Sequence, residues 1–200
     1  MKTVVLLYDT SCIYEIVILN YFLKFTGKDV VFVSLDANSI TSMEGYSINV
    51  SGRLTDIPAK DIELIIVPGG NIKDIDNDTV WGCLRNVQMN QGIIAGICAG
   101  VDVLDHAGLL DGIASTHSTD LDVVVTDQII TSRANSYVDF AIEVAKTRNQ
   151  MQSSDWKKYT HFFQTNVSYA VPPEICIIRF PSCNITYYLM QHPRTFYTSL

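Results

Sequence analysis

Long hydrophobic runs are missing from this chain: the longest, such as residues 4–8 and 64–67, reach only about five residues. A helical membrane span takes about 18 or more, so no membrane association is expected. The first residues, one lysine followed by residues 4–8 and stopped by Asp9, are too short for a secretory core and lack a cleavage site. They are expected to form a buried strand instead. Positive charge is also scarce, with 14 Lys and Arg against 21 Asp and Glu and a net charge of −7. Such a surface repels phosphate backbones and anionic lipid, which excludes nucleic acid and membrane surfaces as expected partners. Cysteine is sparse: five residues, an odd number with scattered spacing, exclude a disulfide framework and suit reduced thiols in the cytoplasm. These cysteines and the four histidines show no metal-ligand spacing, so neither a metal nor a cofactor is expected. There is no internal repeat.

What the chain has is a globular composition, 48% hydrophobic and 18% charged over 200 residues, enough for one sizeable core. Strand and helix signals alternate through the first 147 residues. Continuous apolar runs at 4–8, 30–35, 63–67 and 92–97 read as strands covered on both faces. Residues 12–26, ended by Gly27, have helical spacing, as do 76–91 with Asn77 or Asp78 as cap and Gly92 as stop. Further helices are expected at 99–107 and 136–147. Shorter strand signals fall at 47–50, 113–116, 122–125 and 128–131. This alternation predicts an α/β fold with a doubly wound, mainly parallel sheet and helices on both faces. Ligands of such folds bind beyond the carboxyl ends of the strands. Two segments stand there: the turn Pro68-Gly69-Gly70 and Cys98.

Gly96-Ile97-Cys98-Ala99-Gly100 follows an apolar strand and opens a helix, which is the Gly-x-nucleophile-x-Gly pattern of a nucleophile elbow. The position at a helix start favours a thiolate, the attacking form of cysteine. Most cysteines are simply small buried hydrophobes, but the flanking glycines at a strand–helix junction tip this one towards function. Gly69 and Gly70, with the N–H of Ala99, are candidate donors to an oxyanion. Glu15 lies on or near the apolar face of the first expected helix, where a carboxylate is costly without a partner. It reads either as a helix-start acid or as a proton-exchanging partner of the Cys98 thiol. His117, after the short 113–116 segment, reads equally as a loop histidine or as a general base.

Together Leu7-Tyr8-Asp9 with Glu15, Val67-Pro68-Gly69-Gly70, Ala95 to Gly100, Ala107-Gly108-Leu109-Leu110 and Thr131-Ser132-Arg133 resemble the ThiJ/PfpI superfamily. The resemblance runs from Met1 to about Lys146, with the motifs in the family's order. It implies a flavodoxin-like fold and a homodimer. It also implies Cys98 as nucleophile, Glu15 as the glutamate that contacts it, Gly70 and Ala99 as oxyanion donors, and His117 as the nearby histidine. A small-molecule or peptide substrate follows, either a reactive carbonyl of the glyoxalase or deglycase type or an amide or peptide. The alternatives are a non-enzymatic cysteine redox sensor or chaperone, and an inactive homologue. A glutamine amidotransferase would need a His-x-Glu pair, and neither His161 nor His192 begins one.

The chain departs from the family pattern in two places. Only about a dozen residues separate His117 from Thr131, where the family has a longer stretch. Residues 148–200 form an atypical tail, distinct from the 1–147 domain, holding half of the chain's aromatics and a helical signal only at 153–164.

Overall fold

The computed structural model describes residues 1–25, 30–36 and 38–147; the 148–200 tail, its 153–164 helix and the Gly27 helix stop lie outside the described residues. Apolar β-branched runs build the centre. Strands β1 (Lys2–Leu6), β2 (Val30–Ser34), β5 (Gly52–Arg53), β6 (Ile62–Val67), β7 (Ile93–Ile97), β8 (Val123–Thr126) and β9 (Ile129–Ser132) form one seven-stranded sheet. Its order is β5-β2-β1-β6-β7-β9-β8, parallel throughout except for the antiparallel β8–β9 pair at one edge. Leaving aside the two-residue β5 and the edge strand β8, the parallel strands run 2-1-3-4-5 in chain order, the flavodoxin-like winding. The winding changes direction between β1 and β6, so the crevice for a ligand opens beyond the ends of these two strands.

Helix α1 (Val17–Phe25) packs on α4 (Tyr137–Thr147), and α2 (Asp78–Met89) packs on α3 (Gly100–His106). The central strands are buried accordingly: Val4, Val5 and Leu6 of β1, Leu64 to Val67 of β6 and Ile94 to Ile97 of β7 have almost no exposed surface. Asn77 caps α2, its side chain accepting from the N–H groups of Thr79 and Val80 at 3.0 and 3.2 Å. A separate antiparallel hairpin, β3 (Ser39–Thr41) with β4 (Ser47–Asn49), lies outside the main sheet.

Three local expectations change. The first helix begins at Val17, not at residue 12, because the preceding amides are engaged elsewhere. Thr10 N–H donates to the Thr41 carbonyl (2.7 Å), Cys12 N–H to the Gly69 carbonyl (2.8 Å) and Tyr14 N–H to Glu44 Oε1 (2.8 Å). Glu15 therefore sits in the turn before the helix. Residues 113–116 are not a strand: the Ser115 hydroxyl and carbonyl take up the N–H groups of His117, Ser118 and Thr119 and curl the segment into a turn. The 47–50 signal is one arm of the hairpin, whose other arm, β3, has too few residues to declare a period.

Candidate active site

The chain turns sharply between β7 and α3, and Cys98 stands at the turn with φ +56°. This left-handed conformation costs an L-residue roughly 1–2 kcal/mol and persists only where the surroundings impose it. They do so from three sides. Cys98 N–H donates to the Ser132 carbonyl at the end of β9 (2.9 Å), and the Cys98 carbonyl accepts from Val101 N–H (3.0 Å). Gly100 sits against the carbonyl of Val67, where an added Cβ would collide with the end of β6. The result is a half-exposed thiol at the carboxyl end of the sheet.

Glu15 meets this thiol from the β1 side. Its carboxyl is fully buried, and Oε2 accepts the Gly69 N–H at 2.7 Å. Oε1 is shut off from solvent with no hydrogen bond of full geometry, although the Cys98 thiol and the Tyr14 hydroxyl lie near enough to favour the ionised form. Burial outweighs these contacts and raises the Glu15 carboxyl above its ordinary range. A helix start was expected to draw the Cys98 thiol down; the structure pushes it up instead. Burial is the first cause and the negative charge of Glu15 the second, with the Ala99 N–H working against them. Burial and their mutual repulsion thus raise both members of the pair, and a neutral Glu15 would remove the main charge opposing a Cys98 thiolate.

The glycine turn after β6 divides its work. Gly69, expected among the oxyanion donors, spends its N–H on Glu15 and is not available to a substrate. Gly70, at φ +140°, adopts a conformation closed to other residues and has the Thr10 carbonyl where a Cβ would stand. Its N–H donates to none of the described residues, and the Ala99 N–H lies against the Cys98 sulfur. The turn is anchored by Tyr8, whose buried hydroxyl donates to the Pro68 carbonyl (2.8 Å). Burial first, then the negative charges of Cys12, Glu15 and Cys98, keep that phenol firmly protonated.

His117 stands against α3. Nε2 lies 3.1 Å from Asp102 Oδ1 and Nδ1 lies 3.3 Å from Asp105 Oδ2. Carboxylates only accept, so both contacts together require a doubly protonated ring, and a neutral ring keeps only one. The Thr131-Ser132-Arg133 segment holds the His117 turn in place. The Thr131 hydroxyl accepts Thr116 N–H (3.0 Å), and the Arg133 guanidinium donates to the carbonyls of Thr116 and Thr119 (3.4 and 3.0 Å). Asp102 and Asp105 went unnoticed in the sequence, although their spacing places both on one helix face. The contacts of Tyr8, and Glu44 altogether, were not legible in the sequence because their partners come from distant turns. Among the described residues no cluster of His, Cys, Asp and Glu is arranged to hold a metal, and no helix is long and apolar enough to cross a membrane.

A doubly wound parallel sheet with a cysteine at the sharp turn after β7, facing a buried glutamate, defines a class of small α/β proteins. Residues 1–147 match the DJ-1/PfpI family, and the chain belongs to it. It is 26% identical over 149 residues to a glutathione-independent glyoxalase of Caenorhabditis elegans, covering 66% of this chain and 80% of that protein. It is 25% identical over 114 residues to a deglycase of Thermococcus kodakarensis, covering 56% and 69%. In three dimensions it resembles the DJ-1 superfamily protein Atu0886 of Agrobacterium tumefaciens, with a TM-score of 0.73, 20% identity and coverage of 81% and 97%. Drosophila melanogaster DJ-1beta gives a TM-score of 0.68, 20% identity and the same coverage. These two structures share the fold.

Proposed function

We propose that this protein uses Cys98 as a nucleophile on small reactive carbonyl compounds, 2-oxoaldehydes such as methylglyoxal, without a cofactor. The observation that carries the reading is the left-handed Cys98 elbow held beside a fully buried Glu15 whose second oxygen is pinned by Gly69. In this scheme Cys98 gives up its thiol proton to solvent by way of His117, and a protonated Glu15 donates a hydrogen bond to the resulting thiolate, so that no neighbouring negative charge opposes it. The thiolate adds to the aldehyde carbon, and the carbonyl oxygen becomes an oxyanion that faces the N–H groups of Gly70 and Ala99. Glu15 exchanges a proton at the adduct, and His117 carries protons between the site and solvent. The relatives named a glyoxalase and a deglycase support this substrate class.

We also read the protein as a cytoplasmic homodimer. Exposed Tyr14, Val17 and Tyr21 fall on one side of α1 and the turn before it, and exposed Met43 and Tyr46 come from the hairpin turn. Tyr14 is tied to that turn through Glu44.

The test is the pH dependence of Cys98 alkylation in the wild type and in Glu15→Ala, followed by turnover of methylglyoxal. A Cys98 that alkylates far faster than Cys83, with a pH midpoint moved by the Glu15 substitution, supports the reading. An inert Cys98, or one indifferent to Glu15, sinks it in favour of an inactive homologue. A reactive Cys98 with no turnover of dicarbonyls, amides or peptides leaves the redox-sensor reading in its place.

A further inference from the structure

The glycine turn after β6 is held peptide by peptide from the segment between β1 and α1. Three peptide groups link Pro68 to Asn71, and each meets a different part of that segment. In the first, the Pro68 carbonyl accepts the Tyr8 hydroxyl at 2.8 Å and the Gly69 N–H donates to Glu15 Oε2 at 2.7 Å. In the second, the Gly69 carbonyl accepts the Cys12 N–H at 2.8 Å. In the third, the Asn71 N–H donates to the Thr10 hydroxyl at 2.9 Å.

A peptide group is planar, and in its trans form the N–H points opposite to the C=O. The Gly69 carbonyl is directed at Cys12, so the Gly70 N–H is aimed the other way. Of the N–H groups of residues 69–71 it alone lacks a partner among the described residues. It also belongs to the residue next to the one the elbow touches. A Cβ built on Gly69 would stand 2.9 Å from Cys98 Sγ, and bond lengths then keep the Gly70 nitrogen within about 7 Å of that sulfur.

The segment that holds the turn is itself fixed. The Ser11 hydroxyl accepts the Tyr8 N–H (2.8 Å) and donates to the Tyr8 carbonyl (2.7 Å), while the Thr10 N–H donates to the Thr41 carbonyl (2.7 Å). Thr10 adopts a left-handed conformation at φ +72°, which is unfavourable for a β-branched residue and persists only where the surroundings impose it. Its carbonyl and the Tyr8 ring close on Gly70, where an added Cβ would collide with the first and come 3.1 Å from Tyr8 Cε2. Tyr8 is buried, and burial keeps its phenol protonated, so the hydroxyl remains a donor.

We propose that Tyr8 and Thr10 are positioning residues for Gly70: their hydroxyls fix the peptides on either side of the Gly69–Gly70 peptide and so hold the Gly70 N–H ready to receive an oxyanion. Neither side chain needs to touch the substrate, because both act through the turn. The donor is set before the substrate arrives, and an oxyanion site draws its effect from such preorganisation. This inference rests on the reading of Cys98 as a nucleophile towards a carbonyl carbon.

The experiment compares the full-length wild type with Tyr8→Phe, Thr10→Val and Thr10→Ser. Methylglyoxal turnover gives kcat and KM, and iodoacetamide gives the alkylation rate of Cys98. Alkylation displaces iodide at a saturated carbon and develops no oxyanion, so it reads the thiol without the Gly70 donor. Tyr8→Phe and Thr10→Val should each lose about 10-fold in kcat, less than the roughly 100- to 1000-fold of a donor removed outright. KM should stay within about twofold, since the interaction lost is made in the transition state, and Cys98 should alkylate at the wild-type rate. Thr10→Ser keeps the hydroxyl and should keep the wild-type kcat. Wild-type kcat in both Tyr8→Phe and Thr10→Val overturns the inference and leaves the nucleophile standing. Equal losses of kcat and alkylation overturn it as well, because the whole site has then been disturbed. So does a Thr10→Ser protein as slow as Thr10→Val. Should Tyr8→Phe fail to fold, the two Thr10 variants decide alone. A wild type that alkylates at Cys98 but turns over no methylglyoxal defeats the proposed function and this inference with it, so the two failures are distinguishable.

Discussion

Glu15 is the residue where function and stability pull against each other. Its carboxyl is fully buried, burial raises it above the ordinary range, and Oε1 has no full hydrogen bond. A carboxyl raised in the folded state binds its proton more tightly there than in the unfolded chain. Its contribution to stability is therefore intact below the unfolded value and declines as pH climbs through the folded one. Glu15→Gln abolishes that decline. The variant should match the wild type in urea unfolding near pH 4 and exceed it near pH 8 by about 1 kcal/mol, while its Cys98 alkylation profile changes. A wild type that is the more stable at pH 8 would mean that the Gly69 N–H stabilises the ionised form more than burial opposes it. Glu15 and Cys98 were legible in the sequence because the elbow spacing is local. The upward direction of the Cys98 thiol was not, since it arises from burial and from a carboxyl 83 positions away in the chain. The commitment of the Gly69 amide was hidden for the same reason: one donor can serve either a substrate or Glu15, and only the fold decides.

Elements position these residues, and the hairpin does more of this than its sequence advertises. Glu44 in the β3–β4 turn accepts the Tyr14 N–H, the Thr41 carbonyl accepts the Thr10 N–H, and the Ser11 carbonyl accepts the Met43 N–H. Burial at the turn disfavours its charge, but hydrogen bonds from Tyr14 and Ser42 outweigh it and hold the Glu44 carboxyl below its usual range. Its contribution is thus present above the unfolded carboxyl range and lost as pH falls through the folded value. Glu44→Ala should cost about 0.5–1 kcal/mol at neutral pH, because the bond is partly solvated, and should speed amide exchange at Tyr14. Unchanged Tyr14 exchange would mean that the hairpin does not secure the loop. The periodicity of residues 12–26 concealed this arrangement: the apolar spacing is helical throughout, but its first turn loses the competition for N–H groups to Gly69 and Glu44. Two glycine substitutions test the packing of the remaining elements against each other. Gly100→Ala drives a methyl into the Val67 carbonyl and should destabilise the fold by about 1–3 kcal/mol. Gly82→Ala, mid-α2 with nothing within 4 Å of its added Cβ, should stabilise it by up to about 1 kcal/mol. Thermal melts that rank the two the other way would contradict the close approach of α3 to β6.

For the whole molecule, the sheet was the most legible feature and the assembly the least. Continuous runs such as Leu64 to Val67 can only be covered on both faces, and alternation with helices then dictates the winding. The antiparallel β8–β9 edge was not dictated, because a two-residue connection, Asp127 at φ +53° and Gln128, reverses the chain without a glycine to announce it. Assembly depends on surface residues that carry no period of their own, and here the fold gathers what the sequence scatters. Val17 and Tyr21 are 49% and 45% exposed on α1, and Met43 and Tyr46 from the hairpin turn are 56% and 59% exposed. Exposed apolar side chains on α1 and on the hairpin turn tied to it by Glu44 are where we place an isologous dimer contact. Val17→Asp places a charge in the patch at a position already half open to solvent, so the monomer fold should tolerate it. In a dimer the same carboxylate would be buried without a partner, at a cost of several kcal/mol. Sedimentation should therefore find a dimer for the wild type and a monomer for Val17→Asp at equal concentration. Met89→Asp, 69% exposed at the end of α2, should leave the dimer intact. A Val17→Asp protein that sediments as the wild type does would remove α1 from the interface. Because Glu15 lies two residues before Val17, a monomeric variant with altered Cys98 alkylation would further show that association shapes the site, whereas unchanged alkylation would make each protomer's site self-sufficient.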